Sequence, residues 1–371
     1  SISEHDLGYQ PRLGFDAVRR AIAAHESRFA PRSYGLDSVA LTYGVLGGFQ
    51  QVVELLAGSS NQAEFILPLP CYADLVRDID RVGVPVTFLT SRTNNFMPTL
   101  EEIASRITNR TAAIVITQPN NPTGKYLNRD TLSGLIELAE QNQIYLIIDE
   151  VGDNFYSFSR RRYDIEQSNP VISLENYRLQ YPANLISPFV VRLRGFSKEF
   201  GLAGFRVGYV LGSPAVVQRM AENVAGNPPV VMNKAILKLL EGSEQTSSTL
   251  KANLVTVLNE KRWIIETLAS SPHVIDMIEP EGSYNILCRV NSPAGSMEFF
   301  RRLLEAEKVS IYPGCAFGLN DEECWIRITY ANEHGRNIQA VGRLLKFLAE
   351  QGSSAHRSGS TGGESSAVMV A

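Results

Sequence analysis

The sequence predicts a doubly wound α/β domain followed by a smaller α/β domain. Three observations carry this. Short β-branched runs alternate with helical periodicity through the first two thirds of the 371 residues. After Ser213 the pattern turns helical, and a second alternation of strand and helix then closes the chain before a Ser/Gly-rich tail.

In the first part the candidate strands are Val39–Thr42, Glu64–Leu67, Val84–Leu89, Ala112–Thr117, Ile144–Asp149, Phe189–Leu193 and Phe205–Leu211. Strands joined by helices of this length should run parallel. Leu100, Ile103, Ala104 and Ile107 keep helical spacing, as do Leu132, Leu135, Ile136 and Ala139, so these faces should cover the sheet. The helical stretch runs from Ala215 to about Ala269, with breaks at Gly226 to Pro229 and near Gly242. The second unit has strands around Tyr284–Val290, Val309–Tyr312 and Trp325–Tyr330 and a helix around Ser296–Glu307. In its terminal helix Ile338, Val341, Leu344, Leu345 and Leu348 should share one face. We expect an N-terminal segment at 1–30, a large domain at 31–250, a small one at 251–350 and a disordered tail at 351–371.

Composition narrows the function classes. A hydrophobic content of 44% supports a sizeable core. Net charge is only -4, from 35 basic and 39 acidic residues spread along the chain, so no basic face for nucleic acid stands out. Cys71, Cys288, Cys315 and Cys324 show neither a disulfide framework nor CxxC spacing, and the histidines are scattered, which implies a reducing cytoplasm and no structural metal. No apolar run approaches the ~20 residues that span a bilayer, and no membrane partner is expected.

The most informative stretch is Arg194-Gly-Phe-Ser-Lys-Glu-Phe-Gly-Leu-Ala-Gly-Phe-Arg-Val-Gly-Tyr209. It puts a lysine just past a strand and an arginine eight residues later. A desolvated lysine forms a Schiff base readily, and an arginine can fork onto a phosphate. Alone, two such charges would read as a solvated turn. Gly201, Gly204 and Gly208 suggest close backbone approach instead.

Here the sequence resembles the fold type I pyridoxal 5'-phosphate (PLP) enzymes, specifically the aspartate aminotransferase-like group. Ser197-Lys198, Gly204 and Arg206 match its S-K-x5-G-x-R pattern, and Gln118-Pro-Asn-Asn-Pro-Thr-Gly124 is similar to its N-P-x-N-P-T-G loop. Asp149-Glu150 looks like its D-E pair, Thr42-Tyr-Gly-Val-Leu-Gly-Gly48 like its phosphate-binding segment, and Pro70-Cys-Tyr72 like its P-x-[YW]. Trp325-Ile-Arg-Ile328 resembles the strand with the carboxylate-binding arginine. The likeness covers roughly residues 8–349.

The resemblance implies a mainly parallel, seven-stranded sheet flanked by helices, PLP as cofactor, a small amino acid substrate and most often transamination. It implies that Lys198 carries PLP as a Schiff base and moves protons, that Asp149 keeps the pyridine nitrogen protonated, and that Asn121 bonds O3'. Gly44, Val45 and Leu46 would present amides and a helix N-terminus to the phosphate, with Ser197 and Arg206 beside them. Tyr72 would stack on the ring. Arg327, with Asn121, would hold the substrate carboxylate. Tyr9, in Tyr9-Gln-Pro-Arg-Leu-Gly14, would reach the phosphate in a neighbouring subunit, which implies a homodimer with shared sites and N-terminal residues at the small domain and the dimer contact. It also implies an arm ahead of Tyr9.

The sequence departs from the family in three places. Gly152 stands where a tyrosine usually stabilises the O3' oxygen, so either Asn121 acts without that partner or another group such as Asp153 or Tyr156 takes part. Gly195 replaces a hydroxyl residue that donates to the phosphate. The stretch from Tyr156 to Pro188, with Arg160, Arg161 and Arg162, lengthens the separation of Asp149 and Lys198 and reads as a surface loop. The missing phenol leaves room, which keeps a β/γ-elimination lyase or a cyclase of the capreomycidine synthase type, acting on a hydroxylated arginine, as the alternative. A non-catalytic PLP-binding sensor module, as found fused to DNA-binding domains, is the less expected reading because nothing helix-turn-helix-like is seen ahead of this domain, and Gly44-Val-Leu-Gly-Gly48 is not the G-x-G-x-x-G of nicotinamide enzymes.

Overall fold

The computed structural model of the protein describes residues 8–28, 30–58, 63–152, 181–198, 200–223 and 228–354. The first sheet comprises β1 (Val39–Tyr43), β2 (Glu64–Leu69), β3 (Val86–Thr90), β4 (Thr111–Thr117), β5 (Tyr145–Asp149), β6 (Val190–Gly195) and β7 (Val207–Leu211). Across it the order is β1-β7-β6-β5-β4-β2-β3. From β3 to β6 all neighbours are parallel. β7 runs antiparallel to both β6 and β1, so the sheet is mainly parallel, as the resemblance implied. Among the described residues the β6–β7 connection holds only a short 3-10 turn, Ala203–Phe205, and no crossover helix of the kind that keeps strands parallel.

Alternation along the strands builds two cores. Phe65, Leu67, Ala113, Val115, Ile147 and Val191 face α2 (Gly44–Ala57), α3 (Ala73–Val82) and, through Val216, Val217 and Met220, a later helix. Ile66, Ile114, Ile116, Leu146 and Ile148 face the other way. Between these strands α4 (Leu100–Ala104) and α5 (Arg129–Asn142) close that second face. Leu132, Leu135, Ile136 and Ala139 of α5 are all fully buried there, each large side chain worth about 1.5–3 kcal/mol. Asn128 caps α5 by accepting the Thr131 amide at 2.8 Å. α4 has a Thr99/Glu102 capping box but stops at Ala104, short of Ile107.

The helical stretch resolves into α6 (Pro214–Asn223), α7 (Val230–Glu241) and α8 (Ser243–Ala269). α8 crosses position 250 unbroken, so the expected border falls inside one helix. Its Ile264 and Leu268 join the core of the second unit. That unit has β8 (Val274–Ile278), β9 (Asn285–Val290), α9 (Ser296–Glu307), β10 (Tyr312–Pro313), β11 (Trp325–Thr329) and α10 (His334–Ser354). Its sheet is antiparallel, in the order β10-β11-β9-β8. Val309 and Ile311 are buried by packing, and only Tyr312 and Pro313 join the ladder. In α10 Val341, Leu344 and Leu348 are buried, but Ile338 is 46% exposed and Phe347 completes the face. The helix reaches Ser354, past the expected end of order at 350; residues 355–371 lie outside the described residues.

The helix α1 (Asp16–Ser27) packs with Val39, Leu41, Tyr209 and Leu211, on the edge of the first sheet, and not on the C-terminal unit. Its apolar stripe of Val18, Ile22 and Ala23 has that sheet edge to cover. From α1, Glu26 also reaches beneath the strand ends. Arg194 Nε lies 3.0 Å from Glu26 Oε1, and Arg192 Nη2 lies 2.7 Å from Glu150 Oε2, all four groups being buried. Burial alone would raise the Glu26 carboxyl pKa; Arg194 and Arg192 pull it below the usual range. Removing one member of such a group typically costs about 3–5 kcal/mol.

Candidate active site

The carboxyl ends of β4, β5 and β6 bring three chemistry-bearing loops together, where open parallel sheets generally bind ligands. Asp149 pairs with Thr117 on one side and Leu193 on the other. Lys198 follows β6 directly, and β6 pairs with β5, so Asp149 lies on the strand next to the lysine's own. Asp149 is buried and accepts the Val151 amide at 3.1 Å. Burial pushes its carboxyl up to about 6, against the opposing pull of that amide and of the Lys198 charge.

The loop after β4 is held by Asn120. Its Nδ2 donates to the Pro70 carbonyl at 3.0 Å and its Oδ1 accepts from Thr123 Oγ1 at 2.8 Å, which ties the Pro70–Tyr72 corner to Asn121. Asn121 Oδ1 accepts from Arg327 Nη1 at 2.9 Å. Arg327 comes from β11 and is buried, with its guanidinium 4.0 Å from the Tyr312 ring centroid and 5.0 Å from that of Phe317. Burial lowers its pKa, and the phenols of Tyr312, Tyr284 and Tyr72 counteract this. Arg327 Nε is buried without a hydrogen-bond partner. Among the described residues no carboxylate pairs with Arg327, so its charge is available to an acidic ligand. Tyr72 sits at the head of α3, where burial and then Asp74 raise its phenol pKa.

At the other end of the crevice α2 begins directly after β1. Gly44 has φ +72, a turn that side chains disfavour, and Thr42 Oγ1 bonds its carbonyl at 2.8 Å. Tyr43 supplies no side-chain cap, so the Gly44, Val45 and Leu46 amides keep their donor capacity. Arg206 folds over this helix start: a Cβ on Gly44 would lie 2.4 Å from Arg206 Nη2. Arg206 itself has φ 52 and donates to the Ala203 carbonyl at 3.1 Å. Ser197 is half-buried on the same turn as Lys198.

Of the three glycines read as close approaches, Gly208 qualifies, since a Cβ there would meet Gly44 C at 2.5 Å; at Gly201 and Gly204 a Cβ would meet no described atom within 4 Å. Gly195 has its own packing reason. A Cβ would stand 2.9 Å from Val45 Cγ2, so the space of the expected hydroxyl is filled by the helix. A Cβ on buried Gly152 would find only Pro119, at 3.5 and 3.8 Å. Asp153, Tyr156 and Arg160–Arg162 lie outside the described residues. The end of that insertion is not a surface loop, because Tyr181 and Leu185 are buried in the second core. Tyr9 is fully exposed and touches none of these groups within its own chain.

Sequence reasoning missed Asn120, Tyr284, Tyr312 and Phe317. Lys198 Nζ lies 5.2 Å from the Tyr284 ring centroid. Tyr284 opens a strand that periodicity found, but a strand pattern cannot say which residue faces another unit's lysine. Only the order Asn-Asn in the 118–124 loop could have pointed to Asn120.

Two sheets with helices between their strands, a lysine and a buried aspartate on adjacent strands and an uncapped helix start after β1 make an α/β architecture of the kind enzymes use. Residues 2–344 match the family model described as "Aminotransferase class I and II". The chain is 28% identical to the aspartate aminotransferase of Pyrococcus horikoshii over 345 residues, 92% of this chain and 83% of that one. It is 26% identical to aromatic-amino-acid aminotransferase 2 of Thermococcus litoralis over 355 residues, 92% and 84% of the two chains. The crystal structure of the Thermotoga maritima aspartate aminotransferase superposes with a TM-score of 0.76 at 26% identity, covering 92% and 84%. The chain belongs to the class I and II aminotransferase family. It is a PLP-dependent enzyme of transamination with the type I fold.

Proposed function

We propose that Lys198 carries the cofactor and that Asp149, Asn121, Tyr72, Ser197, Arg206 and the Gly44–Leu46 amides hold it, while Arg327 binds the α-carboxylate of a small amino acid. One observation carries this reading. A carboxyl buried beside a lysine, pushed up to about 6 for want of a stronger counter-charge, is a site prepared for a cation such as a pyridinium N–H. The rest of the donor set supports it. Uncapped amides at a helix start and the Arg206 guanidinium suit a phosphate. The unpaired Arg327 Nε inside an aromatic cage suits a carboxylate.

When bound, PLP supplies a ring that draws off the electrons of a bond broken at the amino acid's Cα. The chain's own groups do the remaining work. Arg327 orients the substrate through its carboxylate, and Asn121, bonded to Arg327, links that carboxylate to the ring side of the crevice. Lys198 Nζ is the group positioned to accept and return a proton. A half-site completed by Tyr9 of a second copy makes the active form a homodimer, and four free thiols suit a reducing cytoplasm.

Borohydride reduction of the yellow protein followed by peptide mapping tests the assignment; the pyridoxyl mass belongs on Lys198, and its appearance on another lysine refutes it. A panel of aspartate, aromatic amino acids and hydroxylated arginines then names the substrate. Accumulation of aminated cofactor supports transamination of that amino acid. Ammonia or a cyclic product without it supports the lyase or cyclase alternative.

A further inference from the structure

The turn that precedes β9 is built with more care than a connection requires. Gly124, in the loop after β4, accepts both the Glu281 and the Gly282 amides at 2.9 Å through one carbonyl. The Tyr126 amide donates to Glu281 Oε2 at 3.0 Å, and the Lys261 ammonium reaches the Pro280 carbonyl. Ser283 is buried in the left-handed region at φ 70, where non-glycine residues are uncommon. It is held there by the buried Tyr330, whose hydroxyl donates to the Ser283 carbonyl at 2.9 Å and whose amide donates to the Tyr284 carbonyl at 2.9 Å. A strained residue fixed by surrounding bonds points to a function for the side chain it aims. The side chain aimed by Ser283 is that of its neighbour, Tyr284.

The Tyr284 ring has two neighbours of consequence. Lys198 Nζ stands 5.2 Å from its centroid, within the ~6 Å over which a ring face attracts an ammonium. Its phenol also acts on Arg327. One ring thus lies beside the amine and near the carboxylate-binding group, the two ends between which an amino acid's Cα must sit. We propose that Tyr284 is a positioning residue for Lys198, its ring face the seat that holds the ammonium in place whenever the lysine is not bound to cofactor; this rests on the assignment of Lys198 as the cofactor lysine.

A seat of this kind acts through the ring and not the hydroxyl. Tyr284→Phe keeps the ring, so in that variant the rate at which the PLP-free chain mixed with PLP develops its lysine-bound absorbance should stay within about twofold of wild type. Two ring-free variants, Tyr284→Leu and Tyr284→Met, guard against one failing to fold. In either, the PLP-free chain mixed with PLP should develop its lysine-bound absorbance about fivefold more slowly, on the scale of an exposed cation–π contact. In turnover, kcat should fall by about the same factor with KM for the amino acid within twofold, and α-deuteration of the substrate should slow kcat more than in wild type. A merely structural residue would lower the melting temperature without raising that isotope effect. Wild-type association and isotope effects in a folded ring-free variant overturn the proposal, as does damage by Tyr284→Phe equal to that by Tyr284→Leu. Peptide mapping of the reduced wild type separates the two readings: a tag away from Lys198 sinks the underlying assignment, whereas a tag on Lys198 with silent variants sinks only the seat.

Discussion

Arg327 Nη1 donates to Asn121 Oδ1 at 2.9 Å, joining two residues 206 positions apart, one on a strand of the second sheet and one in a loop of the first. A β11 arginine and a β4 loop amide therefore form one surface. The contact makes the end of the site proposed for the substrate carboxylate sensitive to both.

Arg327→Lys keeps a charge but loses the fork and the stacking on Tyr312. Loss of a charge-assisted, bidentate contact of about 1.5–3 kcal/mol should raise KM for the amino acid roughly 10- to 100-fold, with cofactor affinity unchanged. Steady-state kinetics and equilibrium dialysis of PLP decide it. An unaltered KM would mean that the carboxylate binds elsewhere.

Asp149→Asn should retain the fold and bind PLP but lose most activity, because a neutral amide cannot hold a pyridinium by charge. The same variant tests the pKa. In the PLP-free protein the folded-state value, about 6, lies above the ordinary 3.8, so the folded chain binds the proton more tightly. This group's contribution is present below about pH 4 and is lost as pH rises to about 6, by roughly 3 kcal/mol. Urea unfolding of the PLP-free chains at pH 4.5 and 7 should show this group's loss in wild type and not in Asp149→Asn. Parallel pH profiles for the two proteins would refute the raised value.

Gly208→Ala puts a methyl 2.5 Å from Gly44 C and 2.7 Å from Val45 N. The helix start must move, costing about 1–3 kcal/mol and weakening PLP retention. Gly204→Ala, in open space, should stay within about 0.5 kcal/mol. Melting curves and dialysis of both variants give the comparison, and equal behaviour would contradict the close approach.

Gly152→Tyr starts from a Cβ with ordinary contacts to Pro119, so the side chain has room at its root. If the phenol reaches the cofactor, the pH at which the bound cofactor's visible absorbance changes should fall. If it instead fills the substrate space, KM for the native amino acid should rise while PLP stays bound. A pH titration with and without substrate distinguishes the two. Unchanged titration and unchanged kinetics would show that position 152 does not face the crevice.

Much of the large sheet was legible because both faces of its parallel strands are covered. Runs such as Ala112–Thr117 and Ile144–Asp149 are apolar throughout most of their length, and the helix faces between them keep strict spacing. The antiparallel β7 was not legible, since strand direction depends on the connection and not on the strand's own residues. Ile338 and Phe347 traded places for a related reason: helical periodicity gives a face, while its centre is set by where the neighbouring sheet ends.

The sequence by itself determined the motif residues, their order along the chain and their loops after strands, because turn chemistry and side-chain type are local properties. Tertiary structure alone decided that Asn121 meets Arg327, that Gly195 is closed off by Val45, and that Tyr284 lies beside Lys198. Each of these joins segments that are distant in sequence, and such contacts arise only when separately packed elements bring their surfaces together.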